Sequence, residues 1–79
     1  MAQQVREIYP GITVNPLVRF GKPVVRDTRV PVDVLVGQVA SGMSVEAVAN
    51  EYGVTPNDVR AALGYAARRL AEETVYATE

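Results

Sequence analysis

Apolar residues recur along the second half of the chain with the spacing of helices. Val45, Val48, Ala49 and Tyr52 stand at i, i+3, i+4 and i+7, the stripe of an amphipathic helix. Ser44 precedes them as a cap, and Glu46 lies where the helix dipole favours an acid. Gly53 follows as a stop, because glycine takes the left-handed conformation at little cost. Thr55-Pro56-Asn57-Asp58 then reads as the start of another helix, with a cap, a proline at the first position and an acid at the third. Val59, Ala62, Leu63, Ala66 and Leu70 carry that stripe onward. Upstream, Val32, Leu35, Val36, Val39 and Ala40 form a third stripe, with Asp33 in its first turn and Ser41-Gly42 at its end. Helices are predicted near residues 33–41, 45–52 and 56–73. The core expected from these stripes is Val32, Leu35, Val36, Val39, Val45, Val48, Ala49, Val54, Val59, Ala62, Leu63 and Ala66. Val34 falls off the first stripe, either as a tolerated surface valine or as part of a second apolar face.

The last two helices are spaced as a helix-turn-helix. Ala49 is small enough for a close crossing, Gly53 makes the turn, and Val59 plugs the space between the helices. A plain three-helix cluster that never touches DNA satisfies the same pattern, because fold does not fix function. The opposite face of the last helix carries Asn57, Arg60, Ala61, Gly64 and Arg68, small residues with polar tips that suit close approach to a groove. Its end holds two i,i+4 ion pairs, Arg68–Glu72 and Arg69–Glu73, which also fit a simply solvated helix end.

The first half has a different rhythm. Pro10-Gly11 is a turn signal, and Ile8 and Tyr9 before it can anchor the amino-terminal end. Ile12-Thr13-Val14 and Val24-Val25-Arg26 are short β-prone runs. Gly21-Lys22-Pro23 and Asp27-Thr28 read as turns, with Arg29-Val30-Pro31 leading out. Two or three short strands are expected here, packed on the helices or paired across a dimer, because an isolated hairpin is marginal. The fold class is therefore mainly α: a three-helix helix-turn-helix domain preceded by a short β-hairpin or strands. At 79 residues this is a single domain over 1–79, with a β-rich arm at 1–31, the helices at 32–73 and a short tail at 74–79.

Charge complicates a nucleic-acid reading. Residues 1–32 hold five basic and two acidic side chains, whereas residues 33–79 hold three basic and seven acidic. The helical part, where a recognition helix would lie, is the acidic part, and DNA binding feeds on basic surface. Any DNA contact would need the basic first half or a second copy to share the work. The chain lacks cysteine and histidine, which removes disulfides, thiolate metal sites and the commonest general base. The carboxylates are scattered and no glycine-rich phosphate loop precedes a helix, so neither an enzyme nor a cofactor is expected. No apolar run is long enough for a membrane span, and a cytoplasmic protein is the default.

The most distinctive text is GKPVVRDTRVPVDVL, Gly21 to Leu35. Its prolines and glycine bracket a hairpin whose tip carries Arg26, Thr28 and Arg29. Arg29 fits a phosphate or partner contact, or equally an internal tie to backbone carbonyls or to Asp33. Together with GMSVEAVANEYGVTPNDVRAALGYAA, this run resembles the family catalogued as domain of unknown function 433, over about residues 12–67. Gly21, Lys22, Pro23, Thr28, Arg29, Pro31 and Val32 stand in that family's order, and Gly42-Met43-Ser44 and Ala61-Ala62-Leu63 also match. Asp27 stands where the family usually has glycine. Aspartate tolerates left-handed turns better than most residues, so the turn is expected to survive. Its carboxylate between two arginines weakens any phosphate-binding role for the loop.

The resemblance implies that the helix-turn-helix is homeodomain-like and that the chain is an antitoxin-like component of a bacterial toxin–antitoxin pair that binds operator DNA and neutralises a PIN-like ribonuclease. On that reading Thr55, Asn57, Arg60 and Ala61 would meet base edges, and Lys22, Arg26 and Arg29 would supply backbone charge. The alternative is a protein-interaction or inhibitor module on the same scaffold without DNA binding. A homodimer is expected, because a chain this short buries a thin core. The amino-terminal strands are one expected seam and Val34 a second.

Overall fold

The computed structural model describes residues 5–73 and 75–77. Its helices are α1 (Val32–Ala40), α2 (Val45–Tyr52) and α3 (Pro56–Glu72), within a residue or so of the stripes that predict them. Their ends form as the local chemistry requires. The Ser44 hydroxyl accepts from the Ala47 N–H at 3.0 Å. Gly53 is left-handed, with φ +70°. At the start of α3, Thr55 Oγ1 accepts from the Asp58 N–H at 3.0 Å, and Asp58 Oδ2 accepts from the Thr55 N–H at 2.9 Å. This reciprocal pair satisfies two amide donors that a helix start leaves without partners.

Before the helices, β1 (Arg6–Tyr9), β2 (Ile12–Val14) and β3 (Val24–Val25) form an antiparallel sheet in the order β1-β2-β3. Pro10-Gly11 turns β1 into β2, with Gly11 at φ +86°. The Glu7 carboxylate closes that turn by accepting from the Gly11 N–H at 2.7 Å. A bulge falls between Glu7 and Tyr9, re-aiming the end of β1.

The GKPVVRDTRVPV text folds as a clasp onto the start of α1. Val24 bridges to Pro31, the Val25 N–H donates to the Val30 carbonyl, and the Val32 N–H donates to the Pro23 carbonyl. Asp27 sits at the tip with φ +64°, so the turn survives the residue that replaces glycine. Thr28 faces inward: its Oγ1 donates to the Val25 carbonyl at 2.7 Å and accepts from the Val30 N–H at 3.0 Å.

Side chains alternate across the sheet. Ile12 and Val25, paired across β2 and β3, join Val32, Leu35, Val48, Ala49, Val59 and Ala62 in one buried cluster. Thr13 and Val24 are buried on the other face of the sheet. Six of the twelve residues expected in the core are buried; Val36, Val39, Val45, Val54, Leu63 and Ala66 are half-buried. Two expectations need correction. Leu70 does not carry the α3 stripe into the core and is 66% exposed, because α3 outruns the elements that could cover it. Ile12 and Val25, absent from the expected core, fill it from the sheet, and Val24 is buried on the sheet's opposite face. The strand valines thus bury within one chain, which removes the need for a second copy to cover them.

Ile12 is fully buried, so Ile12→Ala should cost about 2–5 kcal/mol of stability, as deep core truncations do. Urea unfolding followed by circular dichroism measures it. A loss no larger than a surface substitution gives would show the hairpin to be an appendage.

Candidate functional site

The α2–turn–α3 corner has the parts of a helix-turn-helix. Ala49 and Val59 are buried, and Gly53 turns the chain between them. Thr55, Asn57 and Arg60 stand exposed at the start of α3. All three are already engaged. The Thr55 hydroxyl oxygen accepts the capping bond, and Arg60 Nη1 donates to Asn57 Oδ1 at 3.2 Å while Nη2 lies 3.5 Å from Glu46 Oε2. The Arg60–Glu46 pair is solvated and weak, so a competing acceptor could displace it. Along α2 and the start of α3, three acids, Glu46, Glu51 and Asp58, stand against the single cation Arg60, which gives the corner negative charge.

The rest of the expected reading face is covered. A methyl at Gly11 would lie 3.6 Å from the Ala61 methyl, and the Tyr9 hydroxyl lies directly against Gly64. The Arg68 guanidinium stacks over the Tyr9 ring, 5.2 Å from its centroid. Tyr65 meets the same ring edge-on, with centroids 6.0 Å apart. The small residues of α3 therefore admit the β1–β2 hairpin of their own chain. Ala61, expected among the base readers, is half-buried beneath that hairpin. Close approach by small residues is the same physical signal whether a groove or a strand arrives, so the sequence could not separate the two.

The three cations of the clasp do not gather. Arg26 Nη1 reaches Glu7 Oε2 at 3.3 Å, and its backbone N–H donates to the Gly11 carbonyl. This places Arg26 beside the hairpin tip that covers Ala61. Lys22 Nζ donates to Asp33 Oδ2 at 2.8 Å and shares a groove with Arg69. Twelve residues of helix, about 18 Å, separate Arg69 from Asn57. Arg29 lines a hollow on the outer face of the sheet with Thr13 and Val24. Its carbonyl accepts from Arg19 Nε at 3.0 Å, so the tie at this position runs through its backbone. The tie to Asp33 belongs to Lys22. At the end of α3, Arg68 and Arg69 both reach Glu72, at 3.9 and 3.3 Å; the expected Arg69–Glu73 pair gives way to this i,i+3 contact.

A family model described as protein of unknown function (DUF433) matches residues 12–66. The chain belongs to this family. Among solved structures it is similar to the crystal structure of Rv2018 from Mycobacterium tuberculosis, with 36% identity and a TM-score of 0.61. That match covers 66% of this chain and 24% of Rv2018, so the DUF433 chain spans about a quarter of its structural relative. No curated protein matches it. No described helix is long and apolar enough to cross a membrane.

The Lys22 hydrogen bond is the largest influence holding the Asp33 carboxyl below the ordinary carboxylate range. Lys22→Met should move the Asp33 titration upward, read by NMR of the side-chain carboxyl. A depressed carboxylate stabilises the fold above its unfolded pKa, and that contribution is lost as pH falls through the folded value. The wild type should therefore lose a small increment on acidification that the variant lacks. An unmoved Asp33 titration would assign the depression to the neighbouring amides instead.

Proposed function

We propose that this DUF433 chain is an antitoxin-like component of a bacterial toxin–antitoxin pair. In this reading it binds operator DNA through α2, the Gly53 turn and the start of α3. It also neutralises a PIN-like ribonuclease, catalyses nothing itself and works in the cytoplasm. The observation that carries the reading is the corner itself. Ala49 and Val59 lock two helices around a left-handed glycine while Thr55, Asn57 and Arg60 remain on the surface, where the amino-terminal turn of a recognition helix meets base edges. Asn57 suits adenine and Arg60 suits guanine. Arg26, held near Ala61 by the hairpin tip, is the clasp cation best placed to meet a phosphate. A dimer would double the few cationic contacts that one chain offers.

A second reading is favoured by electrostatics. Glu46, Glu51 and Asp58 repel phosphates, and Arg60 is already paired. An inhibitor that uses the same scaffold to mask its toxin, without DNA, fits that charge.

A gel shift with the protein's own promoter region, alone and with the product of the neighbouring gene, separates the two readings. Binding at low salt supports the first. Arg60→Ala should then cost about 1–3 kcal/mol at one base position and relax preference there, whereas Arg26→Ala should weaken all sequences alike and flatten the salt slope. No shift in either sample would leave the inhibitor reading standing.

A further inference from the structure

Between the start of α1 and the far half of α3 lies an apolar groove of about 410 Å³. Its walls are Pro23, Val32 and Val36 on one side and Tyr65, Ala66 and Leu70 on the other. Leu70 leaves the body of the protein here and stays 66% exposed, so the apolar stripe of α3 continues past its intramolecular cover. The rim carries the Lys22–Asp33 pair, Arg69 held by Glu72, and Glu73, which meets no basic side chain within 4 Å among the described residues.

Beside the groove stands a knob. Phe20 is 101% exposed, and only Gly21 separates it from Lys22, so its Cα lies within about 7 Å of the groove wall. Arg19 and Phe20 both hold left-handed backbone, at φ +51° and +56°, a conformation that is unfavourable for a non-glycine residue. The loop is nevertheless built firmly. The Leu17 N–H donates to Asn15 Oδ1 at 2.9 Å, the Val18 N–H to the Asn15 carbonyl, the Gly21 N–H to the Val18 carbonyl, and Arg19 Nε to the Arg29 carbonyl. A strained, hydrogen-bonded loop thus holds an aromatic ring out in water, away from the groove next to it.

We propose that this knob and groove are the two halves of a homodimer interface, with Phe20 of each copy seated in the α1/α3 groove of the other. Knob and groove adjoin on one surface, as a two-fold interface requires, since the same patch must serve both partners. The unpaired charges have opposite signs: Arg19 at the apex has no acidic partner within 4 Å among the described residues, and Glu73 at the groove's end has no basic one. Reciprocal seating brings each Arg19 towards the other copy's Glu73. The preformed loop limits the ordering cost of association. The interface is separate from the α2–α3 corner, so it stands whether or not the chain binds DNA.

Sedimentation of the full chain across the micromolar range tests the proposal. The wild type should form a dimer that dissociates on dilution. Phe20→Asn removes the ring but keeps a residue that favours the left-handed conformation, so the monomer fold is retained, as circular dichroism will confirm. Two rings are lost per dimer, and dissociation should strengthen by about a hundredfold or more. Leu70→Glu should weaken the dimer through the groove instead. Mixing the two variants is decisive. A mixed pair keeps one intact knob against one intact groove, so it should associate more tightly than either variant alone and less tightly than wild type. A wild type that is monomeric at every concentration, a dimer indifferent to Phe20→Asn, or a mixture with no rescue would each overturn the proposal. Indifference to Phe20→Asn would move the seam elsewhere, to the open edge of β1 or to Val34, and a monomer that binds only another protein would make the groove that partner's site.

Discussion

The close approach of Tyr9 to Gly64 is the constraint on which the arrangement depends. Any side chain at residue 64 would occupy the space of the tyrosine hydroxyl. Without one, the β1–β2 hairpin lies flat on α3, Gly11 settles over Ala61, and Ile12 drops into the cluster formed by Leu35, Val48 and Val59. Arg68 and Tyr65 then close on the Tyr9 ring from two sides. Glycine is a poor helix former, costing about 1 kcal/mol relative to alanine. The hydrophobic burial of the hairpin offsets that cost. The seat also decides which surface remains for partners: the start of α3 stays open and its middle is closed.

The clasp from Gly21 to Val32 does most of its work on the backbone. Residues that resemble a ligand-binding loop instead shape a turn, fill the sheet and deliver the chain to α1 at a fixed angle. Proline at residue 31 bridges to Val24 and caps α1 with its extended backbone. Lysine at residue 22 secures the first turn of that helix through Asp33. The distinctiveness of this text thus has a structural explanation that requires no ligand.

Much of this was legible in the sequence, because it was local. Ser44, Gly53 and the Thr55–Asp58 pair act within three or four residues of themselves, and their caps and breaks fall where the residue types place them. Asp27 illustrates the same point: its tolerance of left-handed backbone is an intrinsic property, and the turn forms. What the sequence hid depends on residues far apart. Nothing in the period of Ile12-Thr13-Val14 announces that its partner is a helix fifty residues away. A stripe of small residues on α3 reads alike for a DNA groove and for a strand. Arg69 chose Glu72 over Glu73 because both acids lie within reach, and rotamers, not spacing, settle such a choice. The left-handed pair at Arg19 and Phe20 left no signal at all, since neither residue type favours it.

The pairing of the first strand with the last helix also sets an order on how the molecule comes into being. As the chain emerges during synthesis, β1 and β2 exist long before Gly64 and Tyr65 do. α1 and α2 can condense early through neighbouring contacts, but the hairpin has no surface to lie on until α3 is out. Closing that long loop is an entropic cost met before any reward from burial. Until α3 has been made the protein therefore carries Ile12 and Val25 in the open, and a strand made early must wait for a helix made late.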